Sequence, residues 1–325
     1  MAQSQQPQSV LEAVTAKESQ RKGPGRMSGS RPANNRKLLH YGYWWWALPS
    51  FTAIIGVHYV ATLIGGAYSF TDYTGVGDFN WIGFDNYLHI LDDLDIMGSI
   101  GNTFFLAFGA LFLSNIFGLL LALALNRGLK TRYFLRTILF LPVILSTIAV
   151  SYIFRFIFAL EGPINTLLGK FGLVEFQKLW LADATWSIWV ILLVVVWQNI
   201  GFAMVIYLAG LATVPQELEE AAAIDGAGTW KRFTKITIPL IQPAIAISTT
   251  LSLIQGMKIF DQVVAMTSGG PFGATETIST QIYHVTFEYM KYGYGASISL
   301  VFTVIILVLA MVQNYLTRDR GLVSK

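Results

Sequence analysis

Residues 96–126 read IMGSIGNTFFLAFGALFLSNIFGLLLALALN, with no Asp, Glu, Lys or Arg between Asp95 and Arg127. A helix needs about 20 such residues to cross the hydrocarbon core of a bilayer. Within lipid the backbone must satisfy its own hydrogen bonds, so the stretch is expected to be a transmembrane helix. Five further charge gaps recur along the chain, from Lys37 to Asp72, Arg136 to Arg155, Asp183 to Glu217, Lys235 to Lys258 and Lys291 to Arg318. The expected fold class is therefore all-α, a polytopic membrane protein with six transmembrane helices near 44–70, 100–125, 136–158, 185–212, 240–262 and 294–317.

Composition agrees. Of 325 residues, 54% are hydrophobic and 13% charged, against about 25% charged in soluble domains. Such a chain cannot cover a water-facing surface. With no cysteine, disulfides and thiolate metal sites are excluded.

Lys and Arg set the orientation. They crowd the head (Lys17 to Lys37), the second loop (Arg127, Lys130, Arg132, Arg136), the fourth loop (Lys231, Arg232, Lys235) and the tail (Arg318, Arg320, Lys325). The first loop has none and carries six aspartates between Asp72 and Asp95. Both termini and the second and fourth loops are expected in the cytoplasm. Residues 1–40, rich in Gln, Ser, Pro, Gly and Arg, read as a disordered cytoplasmic segment and not as a cleavable signal peptide. Residues 41–318 form the membrane domain and 319–325 a short tail. Trp44, Trp45 and Trp46 open the first span as an interfacial belt, and the loop from Ala159 to Ala184 has room for a short external helix.

Charges near the spans are few. His58 reads as a helix-packing histidine and Arg155 as a snorkelling side chain. Lys258 and Asp261, three apart, are expected to pair on one helical face, the alternative being a pathway-lining role. No phosphate-binding loop is present: Gly169-Lys170-Phe171 lacks the upstream glycine and the following Ser or Thr. The four histidines are scattered and Gly-x-Ser-x-Gly is absent, so neither an enzyme nor a metal site is expected.

The fourth loop, 214–239, reads VPQELEEAAAIDGAGTWKRFTKITIP. Pro215 and the acids Glu217, Glu219 and Glu220 suit a helix N-terminus. Asp225-Gly226 suits its end, with Gly226 in a left-handed cap, and Thr229 is expected to cap a second short helix. The result is a helix-turn-helix fit for docking a partner. With Glu220-Ala221-Ala222, then Gly226, then Ile236-Thr237-Ile238-Pro239, the loop resembles the EAA loop of binding-protein-dependent ABC importer permeases, with Ile238 in place of Leu. Arg136 to Pro142 is similar to the start of the third helix in the maltose and glycerol-3-phosphate type of sugar permease. Gly269-Gly270-Pro271 with Thr275-Glu276-Thr277 resembles the loop before their last helix.

The resemblance implies the type I importer fold and a permease subunit for a sugar or oligosaccharide. It implies a second homologous permease, two ATPase subunits that use the ATP, and an extracytoplasmic binding protein, in a bacterial cytoplasmic membrane. This chain itself needs no cofactor. Glu220, Ala221, Ala222, Asp225, Gly226 and Pro239 are carried over as ATPase-coupling residues. Sugars favour aromatic faces and amide hydrogen bonds, so Trp197, Gln198, Asn199, Tyr207 and Gln255 are candidate pathway residues, with helix-to-helix glue as the bland reading. A polyol or glycerol phosphate is the alternative solute, and a secondary transporter or channel the alternative class.

Overall fold

The computed structural model describes residues 36–126 and 130–317, with side chains from Trp45. The head before Arg36, Arg127, and the tail with Arg318, Arg320 and Lys325 lie outside the described residues, as does the side chain of Trp44. The chain divides into two compact units, 1–61 and 62–325.

In the first unit, helix α1 (Arg36–Ile54) runs into a π-helical turn, Ile55–Val60, that contains His58. Helix structure thus begins inside the stretch expected to be disordered. Trp45 and Trp46 are exposed.

The second unit opens with α2 (Ala61–Tyr68). A loop then folds back on itself through a Thr71–Trp81 bridge. Asp72 fastens it, accepting from the Asn80 main-chain N–H (2.6 Å) and carboxamide (3.0 Å). These bonds, the main-chain one foremost, hold the Asp72 carboxyl below its ordinary value of 3.8. A depressed carboxyl contributes its stability above the unfolded pKa and loses it as pH falls through the folded one. The fastening should therefore stay intact at neutral pH and fail only below 3.8. Asp72→Asn should loosen the loop at neutral pH, read as faster exchange of the Asn80 amide.

Helix α3 (Asp85–Asp92) precedes α4 (Leu94–Leu125), a 32-residue span. Asp93 caps α4 by accepting from the Asp95 and Ile96 N–H groups. That cap moves the start of the second span from the expected 100 to 94.

The third span is broken. α5 (Arg132–Ile144) and α6 (Thr147–Ile157) meet at 95°. Pro142 removes one helical N–H, and Leu145 and Ser146 turn extended (ψ 144° and 127°). The expected single helix over 136–158 is corrected accordingly. The following loop holds α7 (Pro163–Lys170), the short helix anticipated there. The buried Asn165 organises it, donating to the Leu160 and Lys178 carbonyls and accepting from Trp180 Nε1.

α8 (Trp186–Leu211) is the fourth span. α9 (Gln216–Ile224) and α10 (Thr229–Arg232) follow, and a π turn leads into α11 (Ile238–Leu240). The fifth span bends by 70° before α12 (Gln242–Met257). It ends at Met257, not 262: Lys258–Phe260 are non-helical and α13 (Asp261–Met266) starts afresh. α14 (Ile278–Tyr283) and α15 (Tyr292–Thr317) complete the chain. Four described helices are long and apolar enough to cross a membrane, and counting each bent pair as one span gives six.

α4 and α8 form the spine of this unit. Gly118 sits so close to α8 that a Cβ there would lie 2.6 Å from Ala203 Cβ. A Cβ on Gly256 of α12 would meet Ala107 Cα of α4 at 2.8 Å. Small residues permit such approach between helices in lipid. The helices are also joined by a buried polar junction. Asn115 Oδ1 accepts from Tyr207 (2.7 Å) and Ser248 (2.6 Å), and its Nδ2 donates to Ser252 (3.0 Å) and the Leu111 carbonyl (2.7 Å).

Candidate functional site

Beside that junction, the helix breaks open a cavity of about 410 Å³ between α4, α5, α6, α8 and α12. This falls in the range of small-molecule sites, about 300–1,000 Å³. Its polar wall includes Ser114, Thr147, Gln198, Asn199, Ser252 and Gln255, with Phe202 and Phe260 as aromatic surface. Lys258, Asp261 and Gln262 come from the segment after α12.

The break in the third span shapes this wall. The Leu145 carbonyl leaves the helical ladder and accepts from Gln198 Nε2 at 3.2 Å. Gln198 is then committed through its nitrogen, and its Oε1 is buried with no partner. Ser114 Oγ, also buried, is unpartnered too. Unsatisfied polar atoms at such depth cost about 1–3 kcal/mol each.

Three of the five candidate pathway residues, Gln198, Asn199 and Gln255, come together on this wall. Two do not. Trp197 points away and packs on Phe154, ring centroids 5.1 Å apart. Tyr207 is buried with its hydroxyl on Asn115, which is the helix-gluing role. Lys258 and Asp261 form no ion pair among the described residues. The helix stops between them, so they never share a face, and both line the cavity instead. Sequence reasoning missed Ser114, Ser252 and Gln262; isolated polar residues in apolar runs were their only signal. Arg155 reaches the Ala265 carbonyl at 3.4 Å beside a second, smaller cavity.

The loop before the last span is tied down from several sides. Asn102 donates to the Gly273 and Glu276 carbonyls, and Thr277 caps α14 while donating to the Ile259 carbonyl. His284 bridges Glu276 (3.4 Å) and Glu288 (2.7 Å). The Gly270–Pro271 peptide is cis.

In loop 214–239, Pro215 is the N-cap of α9. Gly226 has φ +77°. The Gly226 N–H donates to the Ala223 carbonyl and the Ala227 N–H to the Ala222 carbonyl, the paired bonds of a Schellman cap. Thr229 is not the cap of the next helix: Gly228 holds that position and Thr229 is the first helical residue. A contact not anticipated joins the two halves, Thr237 Oγ1 donating to Glu219 at 3.2 Å. Glu220, Ala221, Asp225 and Gly226 are exposed, Ala222 and Pro239 half-buried. Ile224 (87%) and Trp230 (74%) are large apolar side chains left open beside them. Exposed charges flank them, Glu217, Glu220 and Asp225 on the first half of the loop and Lys231 on the second.

A multi-span helical bundle with a polar cavity and an exposed helical loop defines a membrane transport subunit. The comparisons with known proteins specify which. Residues 114–321 match the family of binding-protein-dependent transport system inner membrane components, and the chain belongs to that family: it is a permease subunit of an ABC importer, not an enzyme. It is 32% identical over 290 residues to the probable starch degradation products transport system permease AmyD of Thermoanaerobacterium thermosulfurigenes, covering 89% of this chain and 98% of that one. It is 31% identical over 286 residues to the multiple sugar-binding transport system permease MsmF of Streptococcus mutans, covering 87% and 98%. In structure it is similar to a chain of a bacterial ABC transporter that imports alginate, with TM-score 0.76, 25% identity, and coverage of 89% and 98%. The fold is the type I importer transmembrane domain.

Proposed function

We propose that this permease carries a sugar or oligosaccharide through the cavity around Gln198. The observation that carries the reading is the cavity wall, which sets the amides of Gln198, Asn199 and Gln255 and the hydroxyls of Ser114, Thr147 and Ser252 beside Phe202 and Phe260. Relatives named for starch products and multiple sugars support it. Lys258 would favour a glycerol phosphate, but Asp261 on the same wall balances it and no arginine joins them. A neutral polyhydroxyl guest fits better. The complete transporter pairs this chain with a second permease and two ATPases, with a binding protein delivering the sugar from outside. ATP is used by the ATPase pair, which grips Glu220, Ala221, Ala222, Asp225 and Gly226, with Pro239 fixing the second half of the loop. Lys and Arg in the second and fourth loops place those loops and both termini in the cytoplasm of a bacterial cell.

The test is ATP-dependent uptake by vesicles holding the whole transporter and its binding protein. Maltotriose, lactose, glycerol and glycerol 3-phosphate serve as labelled solutes. Gln198→Leu should lower sugar uptake by about tenfold or more, the usual loss when a site built to hydrogen-bond a hydroxyl loses its partner. Its ATPase subunits should still co-purify. Uptake of glycerol 3-phosphate alone, or unchanged sugar uptake by the variant, would refute the assignment of substrate and site.

A further inference from the structure

Helix α3 has three distinct sides. One packs on the protein: Ile90 is buried, Tyr87 shares a 2.6 Å hydrogen bond with Ser69, and Asn86 donates to the Ser69 and Thr71 carbonyls. A second carries Asp85 and Asp92, both exposed. The third is apolar and open: Phe84 at the N-cap, Leu88 and Leu91 are 67%, 61% and 67% exposed. At 3.6 residues per turn these three fall within an arc of about 60°, with the two aspartates on one flank and the packed side on the other. Trp81 (68%) and Leu94 (85%) extend the apolar side before and after the helix.

We propose that α3 lies in the plane of the membrane–water boundary and beds Phe84, Leu88 and Leu91 in the lipid leaflet next to the bundle. Two observations choose lipid over a protein partner. The helix joins α4 through a single residue, Asp93, so it sits where a membrane span starts. And the side flanking the apolar one is acidic, carrying Asp85 and Asp92, as required of a helix with one flank in acyl chains and the other in water. Trp81 then takes the headgroup level favoured by indole rings. The inference does not depend on which solute is carried or on which side of the membrane the loop stands.

The chain has no cysteine, so single-cysteine variants can be spin-labelled without background once its partner subunits are made cysteine-free. Leu88→Cys, Leu91→Cys, Asp85→Cys and Asp92→Cys are each placed in the full transporter in phosphatidylcholine vesicles. Phe112→Cys, exposed within the α4 span, is the lipid reference. Collision of the label with oxygen, which concentrates in lipid, is compared with collision with a water-soluble nickel chelate. The oxygen-to-nickel ratio at positions 88 and 91 should be several-fold above that at 85 and 92 and approach that at 112. A ratio at 88 and 91 equal to that at 92 would overturn the proposal by showing a water-facing helix. Labels at 88 and 91 that become immobile and shielded from both reagents only when the binding protein is added would also overturn it, in favour of a protein-docking face. Two independent apolar positions keep the test decisive if one variant fails to insert.

Discussion

Gly226→Val should leave the chain in the membrane and abolish uptake. The position is open, since a Cβ at Gly226 would meet nothing within 4 Å, so the cost is one of backbone geometry alone. Gly226 holds φ +77°, and an L-residue there costs about 1–2 kcal/mol, more when β-branched. The chain relieves this strain by leaving the left-handed region, which breaks the paired bonds from Gly226 and Ala227 to the end of α9. α9 and α10 then lose their mutual angle, and the exposed surface from Glu220 to Trp230 no longer matches its partner. Gly226→Asn, which tolerates this backbone, should retain most of the uptake. Glu220→Ala should be mild, because this exposed carboxylate lies past the first turn of α9, where the helix dipole has fallen off, and among the described residues it accepts from Gln216 alone. The measurements are uptake and ATPase co-purification at matched membrane levels. Normal uptake by Gly226→Val would mean that loop 214–239 does not couple the permease to its ATPase.

The largest loss of stability should come from Asn115→Leu. The side chain makes four hydrogen bonds, three of which join α4 to α8 and α12. Leucine is close in volume but leaves the Tyr207 and Ser248 hydroxyls without their acceptor. Buried hydroxyls so stranded cost about 1–3 kcal/mol each, for a total of about 2–6 kcal/mol. The Tm of the purified transporter in detergent should fall by about 5 °C or more. Tyr207→Phe removes one bond and strands nothing that Ser248 cannot hold, so its cost should be about 0.6–1.5 kcal/mol. Equal Tm values for the two variants would show that the junction is not a cooperative unit.

The six spans were legible because a bilayer imposes one length on every crossing segment, and charge gaps report that length directly. Gly226 was legible because a glycine after an alanine-rich helix has a local cap as its reason. The bend at Leu145 had a cue in Pro142, but the break falls three residues later, where Gln198 supplies a substitute donor from another helix. The end of α12 had no cue: nothing in the run from Leu251 to Gln262 marks Met257 as last, and pairing Lys258 with Asp261 assumed a helix that is not there. Tyr207 resembled a sugar-stacking residue because its partner is 92 positions away in sequence. Contacts at that separation are set by helix packing, which one sequence does not disclose. The cavity follows from these same breaks, so its membership was only partly visible beforehand.

The close approach of Gly118 to Ala203 has a mechanical consequence. It clamps α8 against α4 over its lower half, so α8 behaves as a stiff rod with a fulcrum. Its 26 residues span about 39 Å at about 1.5 Å per residue. One end leads into the loop that contains Gly226, and Gln198 stands near the middle. If the loop end is pulled so that the rod tilts by about 10° about Ala203, the far end sweeps about 4 Å and Gln198 about 1 Å. Added to a contact already 3.2 Å long, that is enough to carry Gln198 beyond hydrogen-bonding distance of the Leu145 carbonyl and release its nitrogen to the cavity. A modest pull on that loop would thus rewrite the donor pattern around a bound guest without any helix unfolding.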